Sequence, residues 1–367
     1  MYEILPFVVS FVVTYLSLMA LIRVTELSPI FSNTQLKRSD EVINPRMGGI
    51  GIFLGLALTF SLVIYEMNNI AVVCFAIAIL LQVIIGIKKE MRGISAASFF
   101  WGQFIIASIL IVFGGFKITN LNGFLGIGVL SELQSILLSY IVIISISTIF
   151  NFAKGMDEIA TMVSLLSMSF FSIFFFINGE QVFAMFSLTM AGCLSAYLIY
   201  KYRHTNEFLG YPGLLLIGII NAGIVLKFIS VVPAALFPVQ SALVIVVAIL
   251  LIPILNSVRI VLNRIFRGKN NFISDGKQLH HLLLDKGFSQ KQSIVCYFVV
   301  GLFFILLALI LDRFLNPTYV LLIVFSVAFT ILGWLQSTKR NNLVIVSKQK
   351  DIKVESEKIT VEEKRRD

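Results

Sequence analysis

The sequence predicts an all-α polytopic membrane protein of about eleven transmembrane helices, N-terminus outside and C-terminus cytoplasmic. Three observations carry this. Of 367 residues, 58% are hydrophobic and 13% charged, and that charge is about half of what soluble domains hold. The mean hydropathy is +0.94. The basic residues are confined to alternate connections between apolar runs.

A span needs about 20 mainly apolar residues to cross roughly 30 Å of hydrocarbon. Eleven runs qualify: 4–22, 48–65, 69–87, 97–115, 135–153, 159–177, 182–200, 213–229, 238–256, 294–312 and 318–336. They are continuously apolar, without the alternation of barrel strands, so helices are expected. The connections 23–47, 88–96, 154–158, 201–212 and 257–293, with the tail after 336, hold 26 of the 29 Lys and Arg residues. Only Lys117, Lys227 and Arg313 lie elsewhere, and a missed helix would scramble that division. The formal charge of +9 then belongs to cytoplasmic loops facing anionic headgroups, not to a nucleic-acid surface.

Residues 1–336 read as one membrane-embedded domain, and 337–367 as a charged cytoplasmic tail without aromatics. The N-terminal run lacks a basic leader and a small-residue cleavage site, so a retained first helix is expected. Cys74, Cys193 and Cys296 sit in apolar runs as small buried hydrophobes. Residues 257–270 place Arg259, Arg264 and Arg267 among aliphatics. That suits an interfacial amphipathic helix, or equally a plain basic helix extension.

Polar residues at helix ends and in cytoplasmic loops are the informative ones in such a chain. Five places stand out. Pro45-Arg46-Met47-Gly48-Gly49 enters the second span, and its glycines suit either a ligand or close helix packing. Lys88-Lys89-Glu90 ends the third span, followed by Gly93-Ile94-Ser95. Asn151, Lys154, Asp157 and Glu158 crowd the very short connection after the fifth span. Phe208-Leu209-Gly210-Tyr211 precedes the eighth and suits a turn. Asp275 and the adjacent His280 and His281 lie in the largest loop, where paired imidazoles beside lysines suit a phosphate site.

Taken in order, these places resemble the polyprenyl-phosphate N-acetylhexosamine-1-phosphate transferases, the family of the muramoyl-pentapeptide transferase and of the enzymes that start O-antigen and teichoic acid synthesis. The resemblance covers roughly residues 1–335. It rests on Pro45-Arg46-Met47-Gly48-Gly49, Gly93-Ile94-Ser95 with Gln103, Phe208-Leu209-Gly210, and Leu279-His280-His281 with Gly287-Phe288-Ser289. It implies a bacterial inner-membrane protein with a cytoplasmic-face site that moves a sugar phosphate from a UDP-sugar to a polyprenyl phosphate, with Mg²⁺ held by aspartates. The catalytic positions it implies are Lys89, Glu90, Lys154, Asp157 and Tyr211. Asn151, Asp275, His280, His281, Pro45, Gly48 and Gly49 are the implied substrate-binding positions.

The carboxylates depart from the family pattern. Lys89-Glu90 stands where the family has an Asp pair, Lys154 where it has the Asp of its Asn-x-x-Asp-Gly stretch, and Tyr211 where it has the Asp of Gly-Asp. Gln278 replaces the first His of the family's His-x-His-His. A unit-charge pair about 4 Å apart, at an effective dielectric near 20, is worth roughly 4 kcal/mol. Two carboxylates exchanged for cations therefore predict no Mg²⁺ and no other metal cofactor at this site. The expected function is a family member that binds polyprenyl phosphate, and a UDP-sugar, without reacting, alone as a homodimer or with a polysaccharide-assembly enzyme. Two alternatives stay open. One is an active transferase in which Lys89 and Lys154 replace the metal's charge. The other is a lipid-linked-sugar transporter, which the near absence of ionisable residues inside the spans disfavours.

Overall fold

The computed structural model describes residues 4–27, 48–64, 69–203, 209–235, 240, 242–267, 283 and 287–333. Within them the chain is helical: α1 (Leu5–Leu27), α2 (Gly48–Ile64), α3 (Ile70–Arg92), α4 (Ala96–Ser108), α5 (Glu132–Asn151), α6 (Asp157–Ile177), α7 (Gln181–Arg203), α8 (Gly210–Val231), α9 (Ala242–Ile249), α10 (Leu251–Arg267), α11 (Gln290–Leu311) and α12 (Pro317–Gly333). A π-helical turn, Ile109–Phe113, extends α4. Among the described residues, seven helices are long and apolar enough to cross a membrane, and an eighth is added if the bent α9–α10 pair is one span. Three shorter apolar helices fall on the first, second and last predicted runs.

The predicted ninth span, 238–256, is not one straight helix. Its two halves meet at 70° around Leu250. The cause is Pro253, which has no N–H to offer the carbonyl of Ile249 and whose ring crowds that turn. Leu250 N still donates to Val246 O and Ile254 N to Leu250 O, each at 3.0 Å, on either side of the break. The stretch from 257, read either as an interfacial amphipathic helix or as a basic helix extension, continues α10 as far as Arg267.

α8 is the axle of the bundle. It packs against α2, α3, α5 and α6 and buries all but four of its 22 residues. Such a helix must be apolar all round, and its sequence is, apart from Tyr211, Asn221, Lys227 and Ser230. Asn221 donates to Ser164 Oγ at 3.0 Å and accepts from Ser167 Oγ at 2.8 Å, tying α8 to α6. A second polar tie joins α3 to α4: Gln82 and Gln103, both buried, exchange amide bonds of 3.3 and 3.1 Å. Each such interhelical bond contributes about 0.6 kcal/mol in a membrane. Gln103, one of the motif residues, is thereby a packing residue.

Two glycines set how closely α2 approaches α8. A Cβ on Gly49 would lie 2.0 Å from the backbone nitrogen of Gly213, and one on Gly213 would lie 2.8 Å from Gly49 Cα. The helices cross backbone to backbone, as small residues permit in membranes. The Gly287-Phe288-Ser289 motif also has a local role. Ser289 opens α11 with a capping box, its N–H donating to Gln292 Oε1 at 2.9 Å and its Oγ accepting from Gln292 N at 3.3 Å.

Candidate functional site

Three helix ends meet at one end of the bundle. α3 finishes with Lys89 and Glu90, α5 ends at Asn151 and turns through Lys154 into α6 at Asp157, and α8 begins with Gly210 and Tyr211. Gly210 takes φ 70°, a left-handed backbone that suits glycine. Within the segment read as a turn, Gly210 already opens α8. Pro212, in the first turn of α8, sacrifices no helical hydrogen bond there.

The first N–H groups of a helix lack partners and carry partial positive charge. Here two carboxylates from other elements supply them. Asp157 Oδ2 accepts from Leu209 N at 2.9 Å and Glu90 Oε2 accepts from Tyr211 N at 2.9 Å. Asp157 is buried, while Glu90 and Lys154 are partly open to solvent. Gly49 N donates to Leu209 O at 2.9 Å, so α2 also fastens this helix end.

The lysines surround the ring of Tyr211. Lys89 Nζ lies 4.5 Å and Lys154 Nζ 3.6 Å from its centroid. Lys89 Nζ is also 4.1 Å from the ring of Phe99, on the first turn of α4, and donates to Asn151 Oδ1. Lys154 Nζ pairs with Glu90 Oε1 at 3.5 Å. Ammonium groups over aromatic faces gain about 0.5–1 kcal/mol each at exposed sites.

Lys89, Glu90, Asn151, Lys154 and Tyr211 thus touch one another directly, and Asp157 joins them through Leu209. Gly48 and Gly49 are buried behind them. Pro45, Asp275, His280 and His281 lie outside the described residues. Two further participants were not singled out from sequence. Phe99 supplies the second aromatic face. Lys201, nearly buried at the end of α7, pairs with Glu158 at 3.8 Å. Phe99 was legible only as the apolar side of α4, and Lys201 only as a basic stop at a helix end. Among the described residues no three of His, Cys, Asp and Glu converge. The chemistry on offer is anion binding by two ammonium groups, since the α8 terminus already holds two carboxylates.

Fold and site together define a multi-pass membrane protein with a cation-lined polar site at one end of its bundle. The family model described as glycosyl transferase family 4 matches residues 72–229, from α3 to α8, which contain the whole described cluster. Over those residues the chain is similar to that family. It is 27% identical to a decaprenyl-phosphate N-acetylglucosaminephosphotransferase of Mycolicibacterium smegmatis and 28% to that of Mycobacterium tuberculosis, covering 70% of this chain and 70% of each relative. It is 24% identical to the undecaprenyl-phosphate alpha-N-acetylglucosaminyl 1-phosphate transferase of Escherichia coli K12, over 79% of each chain.

Proposed function

We propose that this chain binds a polyprenyl phosphate, and with it a UDP-N-acetylhexosamine, at the cytoplasmic face of the bacterial inner membrane, and that it has lost the Mg²⁺-dependent transfer of sugar phosphate. Its role is then one of binding or assembly in cell-envelope polysaccharide synthesis. The eleven-span topology, N-terminus out and C-terminus in, is part of the same proposal. It is supported by the shorter helices α1, α2 and α12, which fall where the remaining spans are expected.

One observation carries the reading. Lys89 and Lys154 crowd Tyr211 while Glu90 and Asp157 bind backbone amides of the α8 terminus. A divalent cation needs free carboxylate oxygens in an octahedral set. These residues do not fit it: two fixed ammonium groups would repel it, and the carboxylates already have donors. The same groups suit phosphate oxygens, which accept from ammonium donors.

The test is UMP release from UDP-N-acetylglucosamine and undecaprenyl phosphate in proteoliposomes, with Mg²⁺ and with EDTA. The chain is measured beside a Lys89→Asp/Lys154→Asp/Tyr211→Asp variant. The natural chain should release none in either condition, and the variant should gain Mg²⁺-dependent release. Release by the natural chain in EDTA would establish instead a transferase in which lysines stand in for the metal. Release that requires Mg²⁺ would overturn the proposal.

A further inference from the structure

The end of the bundle away from the candidate site carries a hairpin with unusual chemistry. Residues 118–131, ITNLNGFLGIGVLS, contain no charged residue. The hairpin is closed by an antiparallel bridge between Asn120 and Val129, and by bonds from Leu121 N to Gly128 O and from Leu130 N to Thr119 O. It exposes apolar side chains: Leu125 at 63% and Ile127 at 44% at its tip, and Val129 at 82% on the strand paired with Asn120. A tip in water would favour polar or small residues.

The backbone sharpens the point. Leu125 adopts φ 53°, the left-handed region, between Gly123 at φ 82° and Gly126 at φ 76°. Glycine accepts this conformation freely, and a bulky residue there is an outlier. The chain thus holds a large apolar side chain in a costly conformation and points it outward.

The depth of the tip can be read from its neighbours. Ile118 N donates to Ser139 Oγ at 2.9 Å, and Ser139 lies seven residues into α5, roughly 10 Å along its axis. The hairpin therefore climbs beside the first two turns of α5 from within the bundle. At the top, Leu125 N donates to Thr318 Oγ1 at 3.1 Å, on the first turn of α12. Exposed Phe314 and Tyr319 flank Thr318 in the chain, and aromatic residues line membrane interfaces. Below run the exposed stripes of α5 (Leu133, Leu137, Ile141) and α12 (Leu322, Phe329). The apolar tip continues these surfaces.

We infer that this hairpin is a membrane anchor: its apolar face, from Leu125 at the tip to Val129, inserts into the headgroup–acyl boundary of the leaflet opposite the candidate site. Its partner is the lipid surface itself, chosen by continuity with the apolar stripes of α5 and α12. Lys117, on the rising arm, reaches Glu132 at 3.7 Å at the mouth of α5, as a basic side chain does when it keeps its charge at the aqueous edge.

The experiment places a reporter tryptophan on that face, as Leu125→Trp at the tip and separately as Val129→Trp. The chain's two tryptophans, Trp101 and Trp334, are replaced by Phe, and the full chain is put in nanodiscs. Both reporters should emit at short wavelength and be quenched several-fold more by lipids brominated high on the acyl chain than by aqueous iodide. Val129→Trp, in extended backbone, decides the matter if Leu125→Trp fails to fold. Strong iodide quenching without bromolipid quenching would place the tip in water, and quenching by neither would place it under protein. Either result overturns the inference.

Discussion

The two ends of the bundle treat their lysines differently. Away from the candidate site, Lys227 meets Glu180 at 3.0 Å and Lys117 meets Glu132 at 3.7 Å, one carboxylate for each ammonium. At the site, Lys154 and Lys201 have carboxylate partners, but Glu90 divides itself between Lys154 and the amide of Tyr211, and Asp157 is turned to the amide of Leu209. Lys89 has an amide oxygen and two rings. The helix terminus of α8 competes with the lysines for the acids and wins two of them. The lesson is that surplus positive charge here comes from where α8 begins, not merely from the number of lysines.

The sharpest way to break this contrast is to remove the ammonium groups at each end. Lys89→Met/Lys154→Met should weaken binding of undecaprenyl phosphate about a hundredfold, taking roughly 1.4 kcal/mol as tenfold for each lost charged contact. Lys227→Met at the other end should leave binding unchanged. Binding can be followed by ligand-dependent thermal shift in detergent, and equal losses from both ends would erase the distinction drawn here.

A smaller effect tests the frame beneath the site. Gly49→Ala puts a Cβ against Gly213 and should cost about 1–3 kcal/mol by overpacking, seen as a lower midpoint of thermal unfolding. The helix-end role of the acids comes next. Asp157→Ala leaves the buried amide of Leu209 without its acceptor and should cost about 2 kcal/mol. If Asp157 instead served only in substrate contact, the unfolding midpoint would not move and only ligand affinity would fall. The smallest change is expected at the other end. Glu132 is 83% exposed, so Lys117→Gln should alter stability by no more than about 0.5 kcal/mol.

Much of this was legible in the residues. Run length located most of the described helices to within a few residues, the ninth run excepted, because hydrocarbon thickness and backbone hydrogen bonding leave few choices. The site cluster was legible as a set of positions through family resemblance. Its internal partnerships were not. Nothing in Glu90 or Asp157 as letters reveals that each caps a helix more than fifty residues further along, since that depends on three helix ends meeting. The bend at Leu250 had a visible cause in Pro253, but hydropathy alone does not register a proline inside an apolar run. The 118–131 hairpin escaped notice for the same reason. Its uncharged, glycine-rich letters carry no period, and only the contacts with Ser139 and Thr318 set its depth.

By itself the sequence determined that this chain must live in lipid as a bundle of helices, with lysines, acids and a tyrosine at the ends of its apolar runs. Composition and period are local properties, and the bilayer converts them directly into helices. Only the tertiary structure decided which charges remain available, because an acid's partner is whatever donor the packing of distant helices brings within 3 Å.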